Sequence, residues 1–240
     1  MTILKKIEIE KIISIAREAG DAILEIYNQD FSENIDFKAD DSPLTEADRK
    51  ANKIITEKLK YLFPEIPIIS EEAPLPNYEE RKNWKNFWLI DPLDGTKEFI
   101  KRNGEFTVNI AFLKDCKPSA GVVYVPVTKE VYYADETRAY KDGKTISARE
   151  PGDKLTIVAS RSHFDERTKE YIESLGKPYE LVSKGSSLKM CLVAEGKADI
   201  YPRLGPTMEW DIAAAHAIIK RAGKDVYIFG TADVIKYNKE

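Results

Sequence analysis

Trp88-Leu89-Ile90-Asp91-Pro92-Leu93-Asp94-Gly95-Thr96 is the stretch from which the fold is read. Three apolar residues, too few for a helix, run into two carboxylates, a proline, a glycine and a hydroxyl. Trp88 to Ile90 read as the end of a buried strand. Pro92 presets a turn, and Gly95 permits a backbone conformation that other residues resist. The turn then throws Asp91 and Asp94 out at the strand end, with the Leu93 carbonyl pointing outward beside them. Such hard oxygen ligands suit Mg²⁺ or Mn²⁺ rather than zinc. The same residues also spell an ordinary acidic turn, so the segment alone leaves both readings open.

Upstream, Pro64 and Pro67 bracket a second short strand, Ile66 to Ile69, which ends in Ser70-Glu71-Glu72. A solvated acidic pair opening a loop would look the same. If the two strands are neighbours in one sheet, however, four carboxylates converge. Before them, Ile9, Ile12, Ile13, Ala16, Ala19, Ile23 and Ile26 recur at helical steps, as do Ala47, Ala51, Ile54, Ile55, Leu59 and Leu62. Thr45 reads as the N-cap of the second helix. Asp48 falls in its first turn, where support of the helix dipole is a sufficient reason for a carboxylate.

Downstream, Phe106, Val108, Ile110 and Phe112 alternate, which predicts a half-buried strand. Strands follow at Ala120 to Val125, Val131 to Ala134 and Arg138 to Lys141, the last turning at Asp142-Gly143 into Thr145 to Ser147. Residues 1–148 therefore read as an N-terminal α+β domain: two helices on an antiparallel sheet that carries most of the acidic residues. Residues 149–240 alternate strand and helix: strands at Leu155 to Ala159, Glu180 to Val182, Asp199 to Tyr201 and Val226 to Phe229, helices at Asp165 to Leu175, Ser186 to Glu195 and Asp211 to Ala222. That pattern predicts a C-terminal α/β domain. The fold class is α/β (α+β).

The composition bounds the function. At 42% hydrophobic and 32% charged, the 240-residue chain is globular rather than disordered. A net charge of −4 argues against a nucleic-acid polymer as partner. Cys116 and Cys191 are the two cysteines, without metal-type spacing, which suits a reducing cytoplasm. No apolar run approaches the ~20 residues of a transmembrane segment. Peripheral contact with the inner membrane through a surface patch stays open, as does the choice between monomer and homodimer.

Cations and small residues lie at the ends of the later strands. Lys184-Gly185-Ser186-Ser187-Leu188-Lys189, between a strand and a helix, suits a phosphate or a plain N-cap. Arg203, Arg161 and His163 follow other strands, where open α/β sheets bind ligands; His163 reads equally as a surface-loop histidine. His216, in an alanine-rich helix, reads as structural. Glu209-Trp210-Asp211 opens that helix, and its small residues would let Asp211 approach a neighbouring layer closely.

Asp91-Pro92-Leu93-Asp94-Gly95-Thr96, with Glu71-Glu72 upstream and Trp210-Asp211 downstream, resembles the inositol monophosphatase superfamily of metal-dependent, lithium-sensitive phosphatases. Thr96-Lys97-Glu98-Phe99-Ile100, Asn103-Gly104-Glu105-Phe106-Thr107, Lys38 to Thr45, Ser160-Arg161-Ser162-His163, Gly185 to Lys189 and Tyr201-Pro202-Arg203 are most similar to its bacterial 3′(2′),5′-bisphosphate nucleotidase branch. The resemblance implies a layered α/β/α/β/α sandwich and two or three Mg²⁺ ions, with Mn²⁺ able to substitute. It assigns Glu71, Asp91, Asp94, Asp211 and the Leu93 carbonyl to the metals, and Asp48, Glu71 and Thr96 to catalysis beside the attacking water. Ser187, Lys189, Arg203 and His163 would hold the substrate, bordered by Asp94, Gly95, Thr96 and Asp211. The implied substrate is adenosine 3′,5′-bisphosphate; inositol monophosphate and fructose 1,6-bisphosphate are alternatives on the same scaffold, and a non-catalytic phosphometabolite-binding module is a third. The chain departs from the pattern at Lys239-Glu240, where family members continue through an Asn-Pro segment into a final strand.

Overall fold

Apolar side chains at three- and four-residue steps wind residues 9–27 into an amphipathic helix, α1 (Ile9–Tyr27), with Ile12, Ile13, Ala16, Ala19, Ile23 and Ile26 buried along one stripe. The structure is a computed structural model that describes residues 8–29, 35–37, 43–160 and 164–240. A short antiparallel pair, β1 (Ile35–Phe37) and β2 (Pro43–Thr45), leads into α2 (Glu46–Leu62). Thr45 is thus the last residue of a strand immediately before the helix. After β3 (Ile68–Ser70) and the single turn α3 (Tyr78–Arg81) comes the central strand β4 (Asn86–Asp94). It is followed by α4 (Thr96–Ile100), β5 (Thr107–Lys114), β6 (Lys117–Val125), β7 (Glu130–Ala134), β8 (Ala139–Lys141) and β9 (Lys144–Ile146). The later part contains β10 (Leu155–Ser160), α5 (Glu166–Ser174), β11 (Tyr179–Lys184), α6 (Leu188–Ala194) and α7 (Glu209–Arg221).

Strands β3 to β9 form one seven-stranded sheet in chain order. β3 runs parallel to β4, and every later pair is antiparallel. Its two faces are both covered. Trp88, Ile90, Val108, Ile110, Phe112, Val122 and Tyr124 pack with α1 and α2. Phe87, Leu89, Ala111, Leu113, Val123 and Val125 pack with α6 and α7. The alternation in β5 therefore separates two buried faces rather than a wet one from a dry one, and Thr107 to Leu113 are all buried. Beyond α6 and α7, the parallel pair β10–β11 forms a further layer, with Ile172 of α5 against Leu155 and Ile157. The result is the five-layer α/β/α/β/α sandwich.

Three local expectations are corrected. β4 does not end at Ile90: it continues through Pro92 to Asp94, with a break in register against β5 between Asp91 and Asp94. Pro92 sits at this irregularity, where its missing amide costs no ladder bond, and the chain turns at Gly95, at φ 96°. α4 is five residues long with only Phe99 and Ile100 apolar, too short for a helical period to be read from the sequence. The strands expected at 199–201 and 226–229 are only isolated bridges, Ile157–Ile200 and Tyr227–Val234; Tyr227, Ile228 and Phe229 are exposed, and among the described residues the 226–228 stretch exchanges backbone bonds only with 231–235. Among the described residues no helix is long and apolar enough to cross a membrane.

The contact that brings the late sequence to the early sheet is between α7 and β6. Ala213, Ala214, Ala215 and Ala217 are buried, so the helix backbone lies close to the sheet. A Cβ on Gly121 would stand 2.5 Å from the Ala214 carbonyl oxygen. That atom is helix backbone and cannot rotate away. Gly121→Ala is therefore expected to destabilise the fold by about 1–3 kcal/mol in urea unfolding. A loss under about 0.5 kcal/mol, the range of an indifferent surface change, would show that α7 is not held against β6 at this point.

Candidate active site

The parallel pairing of β3 with β4 places Ser70 opposite Ile90. The Glu71 amide then donates to the Ile90 carbonyl at 3.1 Å, so Glu71 emerges beside Asp91. Asp91 is almost fully buried, and one of its oxygens accepts the Leu93 amide at 3.1 Å. Asp211 arrives from the other side of the sheet as the third residue of α7. Its Oδ2 accepts from Thr207 Oγ1 at 2.8 Å and from the Met208 amide at 2.9 Å, so the carboxylate caps its own helix. Carboxylate oxygens of Glu71, Asp91 and Asp211 all lie within 4.8 Å of one another.

Asp94 is not one of those three; it flanks them. Its Oδ2 accepts from Asn109 Nδ2 at 3.3 Å, and the same Nδ2 donates to Ser187 Oγ at 3.0 Å. Ser187 Oγ in turn donates to the Asp211 carbonyl at 2.7 Å. One amide thus ties β4, α6 and α7 together. The Leu93 carbonyl faces Thr96 Oγ1 at 3.5 Å. Asp48, in the first turn of α2, is 1% exposed and lies close enough to act on Asp91.

The electrostatics identify what the cluster is suited to hold. Burial pushes the Asp91 carboxyl well above the usual range, and Asp94, Glu71, Asp211 and Asp48 push it further in the same direction. Asp94 is raised to about 6, by burial first and by Asp211 second, against the opposing pull of Lys189, Ser187 and Asn109. Like charges held this close, partly out of water, are stable only when neutralised. A divalent cation with oxygen ligands does so, and the all-carboxylate donor set fits Mg²⁺ or Mn²⁺.

Above the carboxylates is a cavity of about 290 Å³ whose walls change sign. Glu71, Asp94 and Asp211 line it together with Lys189, Arg203, Gly95 and Thr96, and Lys189 is near enough to act on both Asp94 and Asp211. Lys189 is 9% exposed, donates to the Ser186 carbonyl at 2.5 Å and lies 5.5 Å from the Tyr201 ring centre. Burial lowers its pKa, while Asp94 and Asp211 resist that change. Arg203 donates to the Pro206 carbonyl at 2.6 Å. The structure thus brings together Asp48, Glu71, Asp91, Leu93, Asp94, Gly95, Thr96, Ser187, Lys189, Arg203 and Asp211. His163 and Arg161 lie outside the described residues. His216 is fully buried at a distance, between Tyr237 Oη at 2.8 Å and Asp225 Oδ1 at 2.6 Å.

Sequence reasoning missed Asn109 and Thr207, and named Ser186 only as part of the 184–189 phosphate segment. Asn109 had a signal: with Thr107, whose hydroxyl donates to it at 3.0 Å, it is a polar residue in an otherwise apolar strand. Ser186 stands at φ 45°, and its buried hydroxyl on the cavity wall has no hydrogen-bond partner among the described residues. Such strain is usual at a functional site.

Residues 7–235 match the inositol monophosphatase family, and the chain belongs to that family. Among named relatives, the 3′(2′),5′-bisphosphate nucleotidase CysQ of Salmonella typhimurium is 51% identical over 223 residues, covering 91% of this chain and 89% of that protein. The crystal structure of CysQ from Bacteroides thetaiotaomicron superposes with a TM-score of 0.85 at 46% identity, over 96% of this chain and 92% of that one. An inositol monophosphatase from Anabaena shares the fold at 22% identity, with a TM-score of 0.71 over 93% and 83% of the two chains.

The raised carboxyls make cation binding depend on pH. A carboxyl raised by the fold favours its protonated form, so the metal-free protein keeps this stability below about pH 4 and loses it as pH rises through about 6 for Asp94. A cation needs the ionised groups. The rise in melting temperature on adding Mg²⁺ to EDTA-treated protein should be larger at pH 7.5 than at pH 5. An equal rise at both would place the bound ion away from these carboxylates.

Proposed function

We propose that this chain is a Mg²⁺-dependent phosphatase that removes the 3′-phosphate of adenosine 3′,5′-bisphosphate, giving AMP and phosphate. The observation that carries the proposal is one cavity lined both by residues of the carboxylate cluster and by the cations Lys189 and Arg203. A substrate with one phosphate to lose at a metal and a second to be held by cations matches that lining. The 51% identical relative is named as acting on this substrate class.

Glu71, Asp91, Asp94 and Asp211, with the Leu93 carbonyl, would hold the metal ions. When bound, such ions supply Lewis-acid charge neutralisation at the phosphoryl group and acidify a water. The protein's own groups then orient the reactants. Thr96, at the start of α4, Glu71 and Asp48 would orient the attacking water, and Asp48, whose charge reaches Asp91, would also favour cation retention. Asn109 and Ser187 hold Asp94 and the start of α7 in one geometry. Lys189 and Arg203 neutralise the distal phosphate, a role that distinguishes a bisphosphate from inositol monophosphate. Two unpaired cysteines accord with a reducing, cytoplasmic setting.

Phosphate release should be fastest with adenosine 3′,5′-bisphosphate among that nucleotide, inositol monophosphate and fructose 1,6-bisphosphate, should require Mg²⁺ and should be inhibited by lithium. A higher kcat/KM for inositol monophosphate would overturn the substrate assignment. Asp94→Asn is expected to lower kcat by about a thousandfold with no loss of melting temperature in EDTA, since it removes a like charge. More than a tenth of wild-type activity would exclude Asp94 from the machinery.

A further inference from the structure

Glu105 does not line the cavity, yet it joins two segments that do. Its Oε2 accepts the Gly185 amide at 2.8 Å, and its Oε1 pairs with Lys184 Nζ at 3.1 Å. Its peptide is enclosed by two glycines. A Cβ on Gly185 would lie 2.8 Å from the Glu105 carbonyl oxygen and 2.8 Å from Glu98 Cγ. A Cβ on Gly95 would lie 3.2 Å from the same oxygen and 3.3 Å from Ser186 Cβ. The loop itself is braced from within: the Glu105 amide donates to Asn103 Oδ1 at 3.0 Å, and Asn103 Nδ2 donates to Glu98. The 103–105 loop is therefore wedged between the turn that follows Asp94 and the turn that precedes Ser187 and Lys189.

We propose that Glu105 is a positioning residue that sets the separation between the acidic end of the cavity and its phosphate-holding end. The inference rests on the proposed role of Ser187 and Lys189 in holding substrate. A carboxylate that accepts a backbone amide and an ammonium at once makes strong, directional bonds, and here both donors belong to residues 184 and 185. Glu71, Asp91 and Asp211 are instead carried by the end of β3, by β4 and by α7. Loss of the Glu105 carboxylate should therefore move the holding end and leave the metal-binding end in place. The expected signature is a change in KM rather than in kcat or metal affinity.

Glu105→Ala should raise KM for adenosine 3′,5′-bisphosphate about tenfold, with kcat within about threefold of wild type and Mn²⁺ affinity, read by calorimetry, unchanged. Glu105→Gln keeps an oxygen for the Gly185 amide and should hold KM within about threefold. Gly185→Ala, which pushes on the same junction from the other side, should raise KM as Glu105→Ala does. A wild-type KM in Glu105→Ala and Gly185→Ala would overturn the inference alone, as would a joint fall of kcat and Mn²⁺ affinity, which marks general loosening. Wild-type protein that binds Mn²⁺ but releases no phosphate from the bisphosphate would overturn the functional reading, and this inference with it.

Discussion

Like charges are forced together at the end of β4, and the rest of the structure answers to that proximity. Asp91 is buried in a strand, Glu71 is delivered beside it by a parallel neighbour, and Asp211 is brought from the far side of the sheet by α7. Left alone, such a group opposes folding, as the raised Asp91 and Asp94 carboxyls show. The rest of the molecule has to overcome that opposition by packing, and the sheet does so by burying both faces.

The packing is specialised where the charges meet. α7 can come near the sheet because its inner face is alanine and because Gly121 offers no side chain to it. Gly95 takes a positive φ so that the chain can leave β4 at once, before Thr96 opens α4. Asn109 uses one amide to connect Asp94 with Ser187, and Ser187 passes the connection to the Asp211 carbonyl. Secondary structure, close approach and hydrogen bonding thus specify the same arrangement from three directions. Cation binding would turn an opposed cluster into a stabilised one, and Lys189 and Arg203 on the same cavity supply positive charge for a second anionic group.

Much of this is legible in the sequence. The two N-terminal helices follow from their apolar spacing, the meander from its hairpin signals, and the acidic set from Glu71, Asp91, Asp94 and Asp211 at element ends. What escapes has physical reasons. Pro92 and Gly95 together look like a turn, but only Gly95 makes it, because the strand can absorb a proline where its register breaks. A strand with polar and apolar residues in alternation looks half-buried, and only the placement of α7 reveals that its second face is covered. Val226 to Phe229 has the composition of a strand but meets residues 233–235 only at an isolated bridge. Asn109 acts through contacts with Asp94 and Ser187, segments far apart in the chain, which spacing does not encode.

Carboxylates delivered by β3, β4 and α7 sharing one divalent cation is the proposition on which the functional reading stands. Crystals grown with Mn²⁺ and measured for anomalous scattering test it. The expected result is a manganese peak with oxygens of Glu71, Asp91 and Asp211 at about 2.0–2.3 Å. Manganese bound elsewhere, with these three side chains unliganded, would contradict it.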